Sequence, residues 1–127
     1  MTTPLERPGP REAGPELLVL SKWEEFADWL LDVTARWPKN TRFTLTQRIE
    51  NHALDVLERL VECRYEPGTR KEGLRAVNLT LERMRYLFRR SKRRGVLASR
   101  GFERALAGVD EVGRMIGGWR KELGKRP

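Results

Sequence analysis

Arg83, Arg85, Arg89, Arg90, Lys92, Arg93, Arg94 and Arg100 fall within one stretch of the chain that contains no acidic residue. The stretch carries +8, equal to the net charge of the whole protein, so the remaining residues sum to zero. Guanidinium groups held this close repel one another unless a polyanion or an acidic partner supplies the opposite charge. A nucleic-acid backbone fits well, because the planar fork pairs two-to-two with phosphate oxygens and displaces condensed counterions. A solvated helix face followed by a basic turn is the other reading of the same residues. RNA or DNA is therefore the first partner to consider, and these eight residues form the candidate nucleic-acid or partner-binding set.

Other chemistries find little support. The carboxylates are scattered singly beside basic neighbours, so no acid/base pair is formed by spacing, and no Ser/His/Asp or Cys/His set has the residues to assemble. One histidine, His52, and one cysteine, Cys63, fall short of the usual four zinc ligands, so no metal is expected. His52 reads as a helix-surface residue and Cys63 as a small buried thiol. No Gly-rich phosphate loop or nucleotide fingerprint occurs. The expectation is a non-enzymatic protein without a cofactor.

The 127 residues suit one domain with a modest core. With 39% hydrophobic and 35% charged residues, no stretch approaches the roughly 20 apolar residues that span a bilayer. The first residues lack the basic start and apolar core of a signal peptide, and a single cysteine excludes an internal disulfide. A soluble, cytoplasmic protein without membrane contact is expected.

These residues must be carried on helices, since the apolar periodicity is helical throughout and no segment alternates with period two. Residues 1–16, rich in proline and glycine, read as a flexible leader, with the boundary of the folded domain placed between residues 20 and 21. Ser21 to Glu24 reads as a capping box opening a first helix with Trp23, Phe26, Leu30, Val33 and Trp37 inward, stopped by Pro38. A second helix is expected from about Thr41 to Tyr65, with Leu45, Ile49, Ala53, Val56, Leu60 and Cys63 on one face. Thr69 to Glu72 forms another capping box, opening a third helix with Leu74, Val77, Leu81, Met84 and Phe88 as its seam. Gly95 interrupts, Ser99 can cap, and a fourth helix runs to about Leu123 with Phe102, Leu106, Val109, Gly113 and Ile116 inward. The fold class is all-α, an up-down-up-down four-helix bundle.

Two helices carry a second apolar set. On the second these are Leu54, Val61 and Tyr65. On the third they are Leu79 and Tyr86, flanked by Arg75, Arg83, Arg90 and Arg93. Leu54, Val61 and Leu79 are assigned to a homo-oligomer interface, against stacking and phosphate contact with single-stranded RNA or isolated surface hydrophobes. Within the basic run, Arg83, Arg90 and Arg94 line one side of the third helix. Arg89 and Lys92 lie nearer the core edge, where they could neutralise helix-terminal carbonyls. Gly113, Gly117 and Gly118 suggest close helix approach near Trp119.

With the helices placed, Arg42-Phe43-Thr44-Leu45-Thr46-Gln47-Arg48-Ile49-Glu50-Asn51 and Asp110-Glu111-Val112-Gly113-Arg114-Met115-Ile116-Gly117-Gly118-Trp119 resemble the accessory variability determinant (Avd) proteins of diversity-generating retroelements. Trp37-Pro38, Arg64-Tyr65 and the Leu81 to Leu87 segment fit the same pattern over residues 21–123. A broader group of four-helix-bundle proteins, encoded within ribosomal RNA intervening sequences, shares the fold and much of the second-helix pattern. The resemblance implies a basic homopentameric barrel without a catalytic centre. It also implies association with the element's reverse transcriptase and template RNA, in support of mutagenic complementary-DNA synthesis. Membership of the broader group would instead imply a scaffold docking an acidic protein or ribosomal RNA. The Pro-rich leader is not required by the Avd pattern.

Overall fold

The computed structural model describes residues 14–125, in which four helices pack as a bundle: α1 (Pro15–Thr34), α2 (Gln47–Tyr65), α3 (Arg70–Arg93) and α4 (Ser99–Gly124). Each helix packs on the next, and α4 returns against α1. There is no strand among the described residues.

The first helix starts six residues earlier than its sequence signal. Proline is tolerated in a first turn, where its missing N–H would have no partner in any case, and Gly14 supplies the extended residue before it. Val19 then extends the apolar stripe of Trp23, Phe26, Ala27 and Leu30 by one turn and is fully buried. Ser21 is thus an interior helix position rather than a cap, and the placement of residues 15–20 in a leader is corrected. The expectation of flexibility for residues 1–13 lies outside the described residues. At its other end α1 closes at Thr34, ahead of Trp37, because the residue before Pro38 is driven out of the α region.

The connection into α2 is wound rather than loose. A short 3₁₀ turn at Lys39–Thr41 leads into a wider π turn at Arg42–Thr46. Thr41 Oγ1 donates to the Pro38 carbonyl at 2.9 Å, which leaves the Thr46 hydroxyl to donate across the 2.9 Å contact with Thr41. Two buried hydroxyls are satisfied in this way, as burial demands. Leu45, expected inward, is only half-buried here because the π turn shifts the register of the face.

The interior is apolar and continuous. Ile49, Ala53, Val56, Leu60 and Cys63 of α2 meet Leu74, Val77, Leu81, Met84 and Phe88 of α3, all buried as their spacing requires. On α4 the deepest residues are Ala105, Val109, Val112, Ile116 and Trp119, with Phe102 and Leu106 at the margin. Trp23 reaches across the core, and its indole N–H donates to the Ala53 carbonyl at 2.8 Å, satisfying the polar edge of a buried ring.

Close helix approach does occur at glycines, but of those the sequence suggested only Gly113 lies against a neighbouring helix, where a Cβ would be 3.9 Å from Leu81 and 3.5 Å from Arg85 of α3. A Cβ on Gly108 would collide with the ring of Phe26, and one on Gly73 would lie 2.6 Å from Cys63 Sγ, so these positions seat α1 on α4 and α2 on α3. Gly117 and Gly118 have nothing within 4 Å of such an atom. The helix ends also depart from the expected caps. Neither Thr69 nor Ser99 makes a side-chain cap, and the residue preceding α4 is Ala98. Instead Arg70 donates to the last-turn carbonyls of Cys63 and Arg64 while its guanidinium lies 5.5 Å over the Trp119 ring, closing α2 from the outside. Gly95, at φ +76°, donates to the Lys92 carbonyl, and Val96 donates to that of Ser91. This Schellman arrangement ends α3 abruptly beneath its basic side chains.

Candidate nucleic-acid interface

The eight basic residues belong to the last three turns of α3, the turn after it and the start of α4, but the fold divides them into groups with different surroundings. Arg85 is already occupied. Its Nε and Nη2 donate to Asp110 Oδ1 at 3.0 and 2.9 Å, its Nη1 meets Glu82 Oε1 at 2.8 Å, and its side chain is only 23% exposed. A guanidinium held between two carboxylates is a clasp between α3 and α4, with little charge left for a ligand.

Arg89 and Lys92 also turn toward aromatic surface. The Arg89 guanidinium lies 5.0 Å from the centre of the Tyr86 ring, and the Lys92 ammonium 4.7 Å from that of Phe102. These are cation–π contacts that the spacing did not announce, and Lys92 also lies in the last turn of α3, where its charge suits the helix-terminal carbonyls. Arg83 lines a groove of about 440 Å³ between α2 and α3, together with His52, Asp55, Glu58, Arg59 and Glu62. His52 is therefore a groove residue. Burial lowers its pKa, with Arg83 and Arg48 acting in the same direction against Asp55.

Arg90, Arg93, Arg94 and Arg100 remain. All four are exposed, and none has a carboxylate within ion-pair distance among the described residues. They gather at one end of the bundle, where the Schellman turn folds the end of α3 back to the start of α4. Three of them suit the negative end of the α3 dipole. Arg100 does not suit its position, because a cation in the first turn of a helix meets the positive end of the α4 dipole. An anion placed there would be attracted by both.

The apolar candidates are open to solvent. Leu54 is 43% exposed, Val61 40% and Leu79 54%, against about zero for their core neighbours. Tyr65 and Tyr86 are more exposed still. Phe43 and Leu18 are open as well, although neither belongs to the second apolar faces expected from periodicity. Phe43 had no periodic signal because it lies in the π turn. Cys63, by contrast, is buried against Gly73, and burial pushes its thiol up, keeping it protonated and weakly nucleophilic.

A second basic cluster has no counterpart in the sequence pattern, where only Arg75 of its members stands out. Lys71, Arg75, Arg120 and Lys121 line a groove of about 600 Å³ where the start of α3 runs beside the end of α4. The two pairs lie far apart along the chain, so only the antiparallel pairing of the helices brings them together.

No described helix is long and apolar enough to cross a membrane, and no group of three or more His, Cys, Asp or Glu residues that could hold a metal ion occurs among the described residues. The chain matches no curated protein and no solved structure. The family model described as bAvd-like matches residues 17–123, which takes in the four helices except for the first two residues of α1 and the last of α4, and both stretches that carry the Avd resemblance. The chain is therefore a member of the bAvd-like family of accessory variability determinant proteins.

Proposed function

We propose that this protein is a non-enzymatic subunit of a diversity-generating retroelement that binds the reverse transcriptase and its template RNA and supports mutagenic complementary-DNA synthesis. Its family makes it an accessory protein of a retroelement. Its binding of RNA is supported by the contrast within the basic run. Arg85 has two carboxylate partners, whereas Arg90, Arg93, Arg94 and Arg100 have none among the described residues and surround a helix start that favours anions. Nucleic-acid phosphates supply the missing charge, with Tyr86 beside them as a stacking surface. In this reading Leu54, Val61 and Leu79 are covered by further copies of the chain in a homopentamer, which carries several basic ends on one particle.

The test is RNA binding measured against salt. The variant with Arg90, Arg93, Arg94 and Arg100 all changed to Gln should bind RNA weakly at every sequence, its log–log salt slope flattened by about 0.7 to 0.9 for each phosphate no longer neutralised. The far-ultraviolet circular dichroism should be unchanged. Equal affinity and slope for the variant and the parent protein would overturn the assignment of this end, and a monomeric mass by light scattering would overturn the pentamer.

A further inference from the structure

The groove between the start of α3 and the end of α4 has three features that packing does not explain. Lys71, Arg75, Arg120 and Lys121 face it with Glu72 as the one carboxylate lining it, so it carries a net positive charge. All four cations are exposed and without an ion-pair partner among the described residues. Its wall includes Gly117 and Gly124, and a Cβ at either would meet nothing within 4 Å. Glycine in a helix is unfavourable relative to alanine, and at Gly108 and Gly73 a neighbouring side chain accounts for it. At Gly117 no neighbour does. What a bare backbone offers there is access, since a ligand can approach the helix closely where no side chain projects.

We propose that this groove is a second nucleic-acid contact, holding phosphates of the same molecule that the basic end engages. The inference rests on the nucleic-acid reading above. The two sites lie on the same helix: Arg75 and Arg93 are eighteen residues apart, about 27 Å along a straight helix at 1.5 Å per residue. A strand stacked at the 3.4 Å rise of B-form DNA covers that distance in about eight nucleotides, and a more extended single strand covers it in fewer. Between them stand Glu82 and Asp110, which clasp Arg85. The strand is therefore gripped at both ends of α3 and passes over a nearly neutral middle. Gly117 matters because a phosphate seated between Arg75 and Arg120 needs the wall to stay open.

The experiment uses the full chain and a labelled RNA of about twenty nucleotides, long enough to reach both sites on the spacing above. Two variants are compared with the parent protein and with the basic-end variant. One changes Lys71, Arg75, Arg120 and Lys121 to Gln. The other, Gly117→Gln, blocks the groove without altering charge. The first should flatten the salt slope by about 0.7 per phosphate released. The second should weaken binding several-fold while its melting temperature stays level or rises. If both variants bind like the parent while the basic-end variant fails, the groove proposal falls and the nucleic-acid reading stands. If the parent shows no salt-dependent RNA binding, both fall. Loss of binding to an acidic polypeptide with RNA binding intact would also overturn the proposal, assigning the groove to a protein partner.

Discussion

Helix α3 carries two faces that behave as different materials. On one, Leu74, Val77, Leu81, Met84 and Phe88 are sealed, each essentially without solvent contact. On the other, Leu79, Tyr86, Arg90 and Arg93 stand open over the same length of helix. Arg85 sits on the border, partly shielded and already paired, because α4 offers it Asp110. Residue type therefore does not set the role of a charge in this bundle. What decides is whether the neighbouring helix presents a carboxylate, and at the end of α3 it does not. Stability is concentrated on the inner face and available charge on the outer one, so the two can be altered separately.

The sharpest break in that division is Phe88→Ala, which deletes a fully buried ring and should cost about 3–5 kcal/mol in a urea melt. Arg90→Ala, close by on the open face, should stay within about 0.5 kcal/mol of the parent. Similar losses for both would mean that the outer face is also packed, and the separation would not hold.

Helix α4 sharpens the same comparison with two glycines. Gly108→Ala must displace the Phe26 ring and should destabilise by about 1–3 kcal/mol, the usual range for overpacking. Gly117→Ala adds a methyl group to open space and should stabilise by about 0.4–1 kcal/mol through the unfolded chain. Opposite signs in thermal denaturation are the expected result. A destabilising Gly117→Ala would show that the groove wall is closed in solution.

The smallest effect belongs to His52, in the groove between α2 and α3. Its folded pKa is lowered from 6.5, first by burial and then by Arg83 and Arg48. The unfolded chain therefore binds the proton more readily. The stability associated with a neutral imidazole is complete above 6.5 and declines as pH falls through the lowered folded value. His52→Gln should remove that part of the acid decline, seen as a shallower fall in melting temperature below pH 6.5. The imidazole is only partly shielded from water, so the change should be slight. An unchanged pH profile would place the imidazole in water rather than against the arginines.

The apolar period by itself determined four helices and nearly the whole interior seam of α2 and α3, because burial on one side imprints a repeat of three and four on the sequence. It also determined where charge accumulates, since Arg83 to Arg100 form a local run. Caps were less legible. Ser21, Thr69 and Ser99 have the right residue types, but Pro15, Arg70 and the Schellman turn at Gly95 begin or close the helices in other ways. Glycine roles were legible only at Gly113, which faces α3 as its spacing requires, because only the neighbour across the seam distinguishes Gly108, pressed by Phe26, from Gly117, pressed by nothing.

What only the tertiary structure decided is the fate of each charge. It paired Arg85 with Asp110 across 25 positions, stacked Lys92 on Phe102, and brought Lys71 and Arg75 beside Arg120 and Lys121. Periodicity reports which face of a helix turns inward, a property of one segment and its distance from water. Electrostatic partnership depends on which helix lies alongside and in which direction it runs, and that is fixed only when the four helices close on their common core.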